Sequence, residues 1–178
     1  MRYPWPSPTR RQKHVDDTNN TRYKLGDPHD PSTTTGPVIS KQALKNIQSH
    51  IDNALSNGAK DATPQNQTFS SPPQDGNYLA PVLLTNVTHD MITMQEETFG
   101  PVIPVMKVSS DDEAVSLMND SKYGLSASVW TKDISRGEEL IEKLEAGTVF
   151  LNRCDYPSPV SHPVFWFSIC YLDANMYV

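Results

Sequence analysis

Residues 102–151 read VIPVMKVSSDDEAVSLMNDSKYGLSASVWTKDISRGEELIEKLEAGTVFL, and short apolar runs alternate there with helix-period segments. Val102 to Val108 predicts a strand, in which Pro104 lacks an N–H and so demands an edge position or a missing ladder bond. Ser110, followed three residues later by Glu113, is a capping-box pattern heading Ala114, Val115, Leu117 and Met118, so a short helix starts there and ends at Tyr123-Gly124. Leu125 to Trp130 predicts a second strand, Ile134 to Leu144 a second helix closed by Ala146-Gly147, and Val149 to Leu151 a third strand. Strands separated by helices of this length pair in parallel through right-handed crossovers. The fold class is therefore α/β: an open, mostly parallel sheet covered by helices. In such sheets ligands sit beyond the carboxyl ends of strands, which directs the search for function to the loops that follow them.

Upstream, Leu79 to Leu84 is a short apolar run bounded by turn residues and reads as a buried strand. Ser40 opens a stretch in which Leu44, Ile47, Ile51 and Leu55 recur at helical spacing while Lys41, Lys45, Gln48 and Asp52 lie elsewhere on the wheel; Gly58 is its natural stop. Residues 61–76 are polar and proline-bearing, a long loop. The run from Gly26-Asp27-Pro28 to Gly36-Pro37 repeats turn chemistry three times and predicts a surface loop. Residues 1–22 carry no periodic apolar pattern and read as a disordered lead-in.

Charge is unevenly spread. The net −6 divides into +4 over residues 1–24 and −10 over the rest, which disfavours a nucleic-acid partner for the body. A solvated tail is the simpler account of Arg10, Arg11 and Lys13 than a phosphate-binding arm. Cys154 and Cys170 are the only cysteines, and the five histidines show no ligand spacing to them, so neither a metal site nor a disulfide framework is expected. A reducing cytoplasmic setting is the default for such a chain. The most apolar stretch, Pro163 to Leu172, is too short to span a bilayer, and no membrane association is expected.

The most specific feature is Gln95-Glu96-Glu97-Thr98-Phe99-Gly100-Pro101-Val102, which resembles the glutamate-phenylalanine-glycine-proline signature of NAD(P)-dependent aldehyde dehydrogenases. Leu25-Gly26-Asp27-Pro28, Gly36-Pro37-Val38-Ile39, Gly76-Asn77-Tyr78, Tyr123-Gly124-Leu125, Thr131-Lys132-Asp133 and Gly147-Thr148-Val149-Phe150-Leu151-Asn152 are similar to family segments and occur in the expected order. The resemblance covers residues 23–159 and corresponds to the later part of the family's catalytic domain. Residues 160–178, with Ser161-His162-Pro163-Val164-Phe165-Trp166-Phe167, read as unrelated tail.

In that family a cysteine thiolate attacks the aldehyde, a hydride passes to the nicotinamide, and water activated by a carboxylate releases the acid. The resemblance places the nucleotide-binding half, the general-base glutamate and the nucleophile loop ahead of the part present here. It therefore implies no catalytic residue in this chain, and a piece inactive alone. It implies NAD or NADP as the family cofactor, with Glu97 accepting hydrogen bonds from the ribose hydroxyls beside the nicotinamide and Phe99 packing against ribose and nicotinamide. The plainer alternative makes Glu97 a loop carboxylate and Phe99 a core anchor ahead of a Gly-Pro turn. Asn152 and Asp155 fall near the substrate path by the same resemblance. Cys154 lies beside them, but only Arg153 offers it local activation, and a partly buried cysteine without chemistry is the simpler expectation. His89-Asp90 reads as a surface turn, and Met91 and Met94 as packing residues.

Three functions stay open at this point. One is aldehyde oxidation to a carboxylic acid in a full-length form that takes the aldehyde substrate. The second is a non-catalytic module or decoy that associates with a full-length relative. The third is a truncated product without function, whose exposed apolar faces promote aggregation.

Overall fold

The computed structural model describes residues 24–63 and 76–153. The expected lead-in at 1–22, most of the 61–76 loop, Cys154, Asp155 and the tail at 160–178 lie outside the described residues. The chain divides into two compact units, Met1–Val105 and Met106–Val178.

In the first unit, Lys24 to Thr35 forms the expected surface loop. It is pinned from below by Leu25, which is buried and bridges to Thr35. Helix α1 (Lys41–Ser56) begins where Ser40 accepts a hydrogen bond from the Ala43 amide at 3.0 Å. Its end is a Schellman motif: the Ala59 amide donates to Ala54 O and the Gly58 amide to Leu55 O, while Gly58 takes a φ of 98° that its missing Cβ permits. The buried stripe is Ile47, Ile51 and Ala54, with Leu44 half-buried. Burying each isoleucine contributes roughly 2 kcal/mol. Leu55, placed on this stripe by its spacing, is instead exposed, because Ala54 takes the inward position one residue earlier.

Strand β1 (Lys60–Asp61) follows the helix and runs antiparallel to β2 (Val82–Thr85), with Lys60 opposite Thr85. A one-turn helix, α2 (Ile92–Gln95), links β2 to β3 (Val102–Val105), which pairs parallel to β2 from Val82↔Val102 to Thr85↔Val105. The strand order is β1-β2-β3, so Pro104 sits on an outer strand of this sheet, as its missing N–H requires. Leu83, Leu84, Val87 and Met91 join the α1 stripe in the core.

In the second unit, α3 (Asp111–Asn119) is capped by Ser110, whose hydroxyl accepts from the Glu113 amide at 3.1 Å. Glu113 reaches back to the amide of Ser109, one residue outside the box. The helix stops at Asp120, short of the expected Tyr123-Gly124, because Ser121 to Gly124 turns to lead into the next strand. Strand β4 (Ser126–Val129), helix α4 (Ile134–Ile141) and strand β5 (Thr148–Leu151) form a strand-helix-strand unit in which β4 and β5 pair in parallel. Asp133 caps α4 by accepting from the Arg136 amide. The helix ends three residues before Leu144, which is buried all the same, in the turn that follows.

The architecture is α/β with mostly parallel strands, as expected, recorded as one three-stranded and one two-stranded sheet. Among the described residues, no helix is long and apolar enough to cross a membrane.

Candidate functional site

The signature segment occupies the link between α2 and β3. From Glu96 the backbone is extended (φ −124°, ψ 151°), which ends α2 and carries the chain across α1. The Gly100 amide donates to Thr98 O at 2.7 Å and the Val102 amide to Gly100 O at 2.8 Å, so two successive γ-turns are centred on Phe99 and Pro101. The Phe99 φ is not positive, which makes its turn the unstrained inverse form. A ring at the apex of such a turn points away from the body, and Phe99 is 68% exposed. It is therefore not the core anchor that the plainer reading of this motif supposes.

Gly100 is required by close approach and not by conformation. A methyl there would stand 2.5 Å from Cδ1 and 3.0 Å from Cγ1 of Ile47, a buried side chain of α1. The other end of the loop is tied to the same helix: His50 Nδ1 and Thr98 Oγ1 are hydrogen-bonded at 2.8 Å, and the Asn53 side-chain Oδ1 accepts from the Ile92 amide at 3.2 Å. Ile47, His50 and Asn53 recur every three residues and form one stripe that serves as a shelf. Glu97 is half-buried on this loop, with its Oε1 shielded from solvent.

The loop's place in the sheet differs from the general expectation. Glu97 and Phe99 precede β3, and the Val82 amide donates to Pro101 O at 2.8 Å, so the signature lies at the amino ends of the parallel pair. Asn152, by contrast, directly follows β5, at a carboxyl end. It holds a left-handed φ of 55°, its amide donates to Val129 O, and its Oδ1 accepts from the Thr131 amide at 2.9 Å. This side chain thus locks the β4–α4 turn to the end of β5. Glu97 and Phe99 share one loop of the first unit, whereas Asn152 belongs to the second.

His89 and Asp90 lie in a turn where Asp90 accepts from the Thr88 hydroxyl at 2.5 Å, and Met91 is buried, as their spacing implied. The second unit carries a partly open cavity of about 20 Å³ bordered by Met118, Tyr123, Ala127 and Leu144, room for little more than a water molecule. Among the described residues no three His, Cys, Asp or Glu side chains gather as a metal site would need. His50 is the site residue that motif reading passes over. Its signal is positional: a polar ring three residues after Ile47 falls on the apolar stripe of α1.

Residues 11–165 match the aldehyde dehydrogenase family profile. Over 128 residues the chain is 40% identical to the succinate-semialdehyde dehydrogenase (NADP+) of Deinococcus radiodurans, covering 72% of this chain and 26% of that protein. Over 146 residues it is 35% identical to the betaine aldehyde dehydrogenase of Brucella anthropi, covering 80% and 29%. The crystal structure of betaine aldehyde dehydrogenase from Staphylococcus aureus in complex with NAD+ superposes with a TM-score of 0.71 at 32% identity, covering 84% of this chain and 29% of that one. The chain belongs to the aldehyde dehydrogenase family. It spans between a quarter and three-tenths of the length of these relatives.

Proposed function

We propose that these residues form the part of an aldehyde-oxidising, NAD(P)-dependent active site that receives the ribose next to the nicotinamide. The observation that supports it most is Phe99, an aromatic ring held 68% exposed at the apex of an unstrained turn on a loop anchored to α1. A large apolar side chain kept in water by a rigid support gains by being covered, and a ribose-nicotinamide face is a covering of the right kind. Two residues earlier, Glu97 brings a carboxylate, an acceptor group that suits a hydroxyl donor of the ribose. When bound, the nicotinamide supplies the hydride acceptor for oxidation of an aldehyde to an acid. The chain's own contribution is to hold the ribose and to exclude water beside it.

The relatives include one named for NADP+ and one solved with NAD+, so either nucleotide fits the reading. Asn152 and Asp155 stand near the substrate path in the same proposal, Asn152 as a brace of the β5 end. The low cysteine content fits a cytoplasmic setting. With a quarter of a relative's length present, the 178 residues bind nucleotide weakly and do not turn over aldehyde without the remaining parts, which a full-length relative would supply as a partner.

Titrating the chain with NADH, followed by nicotinamide fluorescence, tests this. Loss of one charge-assisted hydrogen bond in Glu97→Gln should weaken binding on the order of tenfold, and Phe99→Ala should weaken it similarly. Binding unchanged in both variants, or absent from the parent chain, rejects the assignment. Aldehyde-dependent NADH production by the chain alone rejects its inactivity.

A further inference from the structure

We propose that His50 is a positioning residue that fixes the Glu97–Phe99 loop on α1 through the Thr98 hydroxyl. The purpose of this contact rests on the nucleotide reading above; its existence does not.

Two kinds of contact hold the loop, and they do different things. Packing of Gly100 against Ile47 sets how deeply the chain sits, but apolar contact is weakly directional and allows the segment to roll. The 2.8 Å hydrogen bond between His50 Nδ1 and Thr98 Oγ1 is directional and joins residues 48 positions apart in sequence. It falls between Glu97 and Phe99, so it sets the rotation of the segment from which both side chains project. With Thr98 turned onto the helix, the following γ-turn presents Phe99 to solvent. His50 is itself half-buried on a rigid 16-residue helix capped at both ends, so its ring is well placed to impose a geometry on the loop. Other polar side chains of α1 are occupied differently: Gln42 bonds Asn46 and Gln48 bonds Asp52 within the helix, and Asn53 holds the Ile92 amide at the start of α2.

The test is amide hydrogen exchange, read by NMR on the 178-residue chain, which needs no nucleotide. His50→Ala should raise exchange of the Gly100 and Val102 amides about fivefold, the effect of one hydrogen bond, while amides in the middle of α1 keep the parent rate. His50→Asn, whose carboxamide reaches the position of Nδ1, should restore slow exchange, and His50→Gln, which places its polar atoms farther out, should not. Thr98→Val removes the bond from the loop side and should match His50→Ala, which guards against a helix defect mimicking the effect. Unchanged loop exchange in both His50→Ala and Thr98→Val, or no recovery in His50→Asn, overturns the proposal. Glu97→Gln should weaken NADH binding without altering loop exchange. Absence of any NADH binding would remove the nucleotide reading and leave the exchange result to decide the role of His50.

Discussion

Gly137 of α4 packs so closely on Leu151 of β5 that a methyl at Gly137 would stand 2.5 Å from Leu151 Cδ1, and 2.8 Å from Thr131 Cγ2 on another side. Helix propensity alone would make Gly137→Ala stabilising by about 1 kcal/mol. Overpacking costs roughly 1–3 kcal/mol and opposes it. The expected outcome is a net loss of about 1 kcal/mol, measured by urea unfolding. A gain would mean that Leu151 swings aside freely.

Asn152 combines two burdens that substitutions separate. Asn152→Gly keeps the left-handed backbone easy but forfeits the bond to the Thr131 amide, a loss of about 1 kcal/mol. Asn152→Ala forfeits the bond and strains the backbone by a further 1 kcal/mol or so. Chemical denaturation should therefore rank parent above glycine above alanine; equal glycine and alanine variants would contradict the strain.

The Ser40 hydroxyl satisfies the Ala43 amide at the start of α1. Replacing it with alanine should cost about 1 kcal/mol. Because the shelf beneath the signature loop is this helix, thermal melting and loop exchange should respond together. A melting temperature unchanged by Ser40→Ala would show that solvent caps the helix equally well.

The carboxyl of Asp30 is held down at about 2 by the Ser32 hydroxyl, then the Ser32 amide, then Lys24. Its folded value lies below the ordinary 3.8, so the fold favours the ionised form. That contribution is complete above about pH 4 and disappears as pH falls through 2. Carboxyl NMR titration should place the Asp30 midpoint near 2, with the Ser32 amide signal moving in step. A midpoint at or above 3.8 would contradict the hydrogen bonds described.

Much of this molecule is legible from local pattern. Ser40 and Ser110 sit at helix starts because their oxygens answer amides that the helix leaves unpaired, and such signals need no tertiary context. Gly58 marks the end of α1 for the same local reason. What escapes is set by contacts distant in sequence. Strand β1 has two residues and exists only because β2 is there to pair with it. Helix α2 is a single turn, too short to show a period. Whether Leu55 or Ala54 faces inward depends on the pitch at which α1 meets the sheet, and the link between His50 and Thr98 spans 48 positions that no motif connects. The signature loop itself is marked in the sequence by its resemblance to the family motif, but its seat at the amino ends of β2 and β3 follows from pairing register alone.

That register has a kinetic side. Val82 finds Val102 twenty residues along, and Ser126 finds Thr148 twenty-two residues along, each pair closed by one short crossover. Closing spans of this size carries a small entropic penalty, since the cost rises only with the logarithm of length. Either parallel ladder can thus zip up from a contiguous segment as it leaves the ribosome, without waiting for distant sequence to be made.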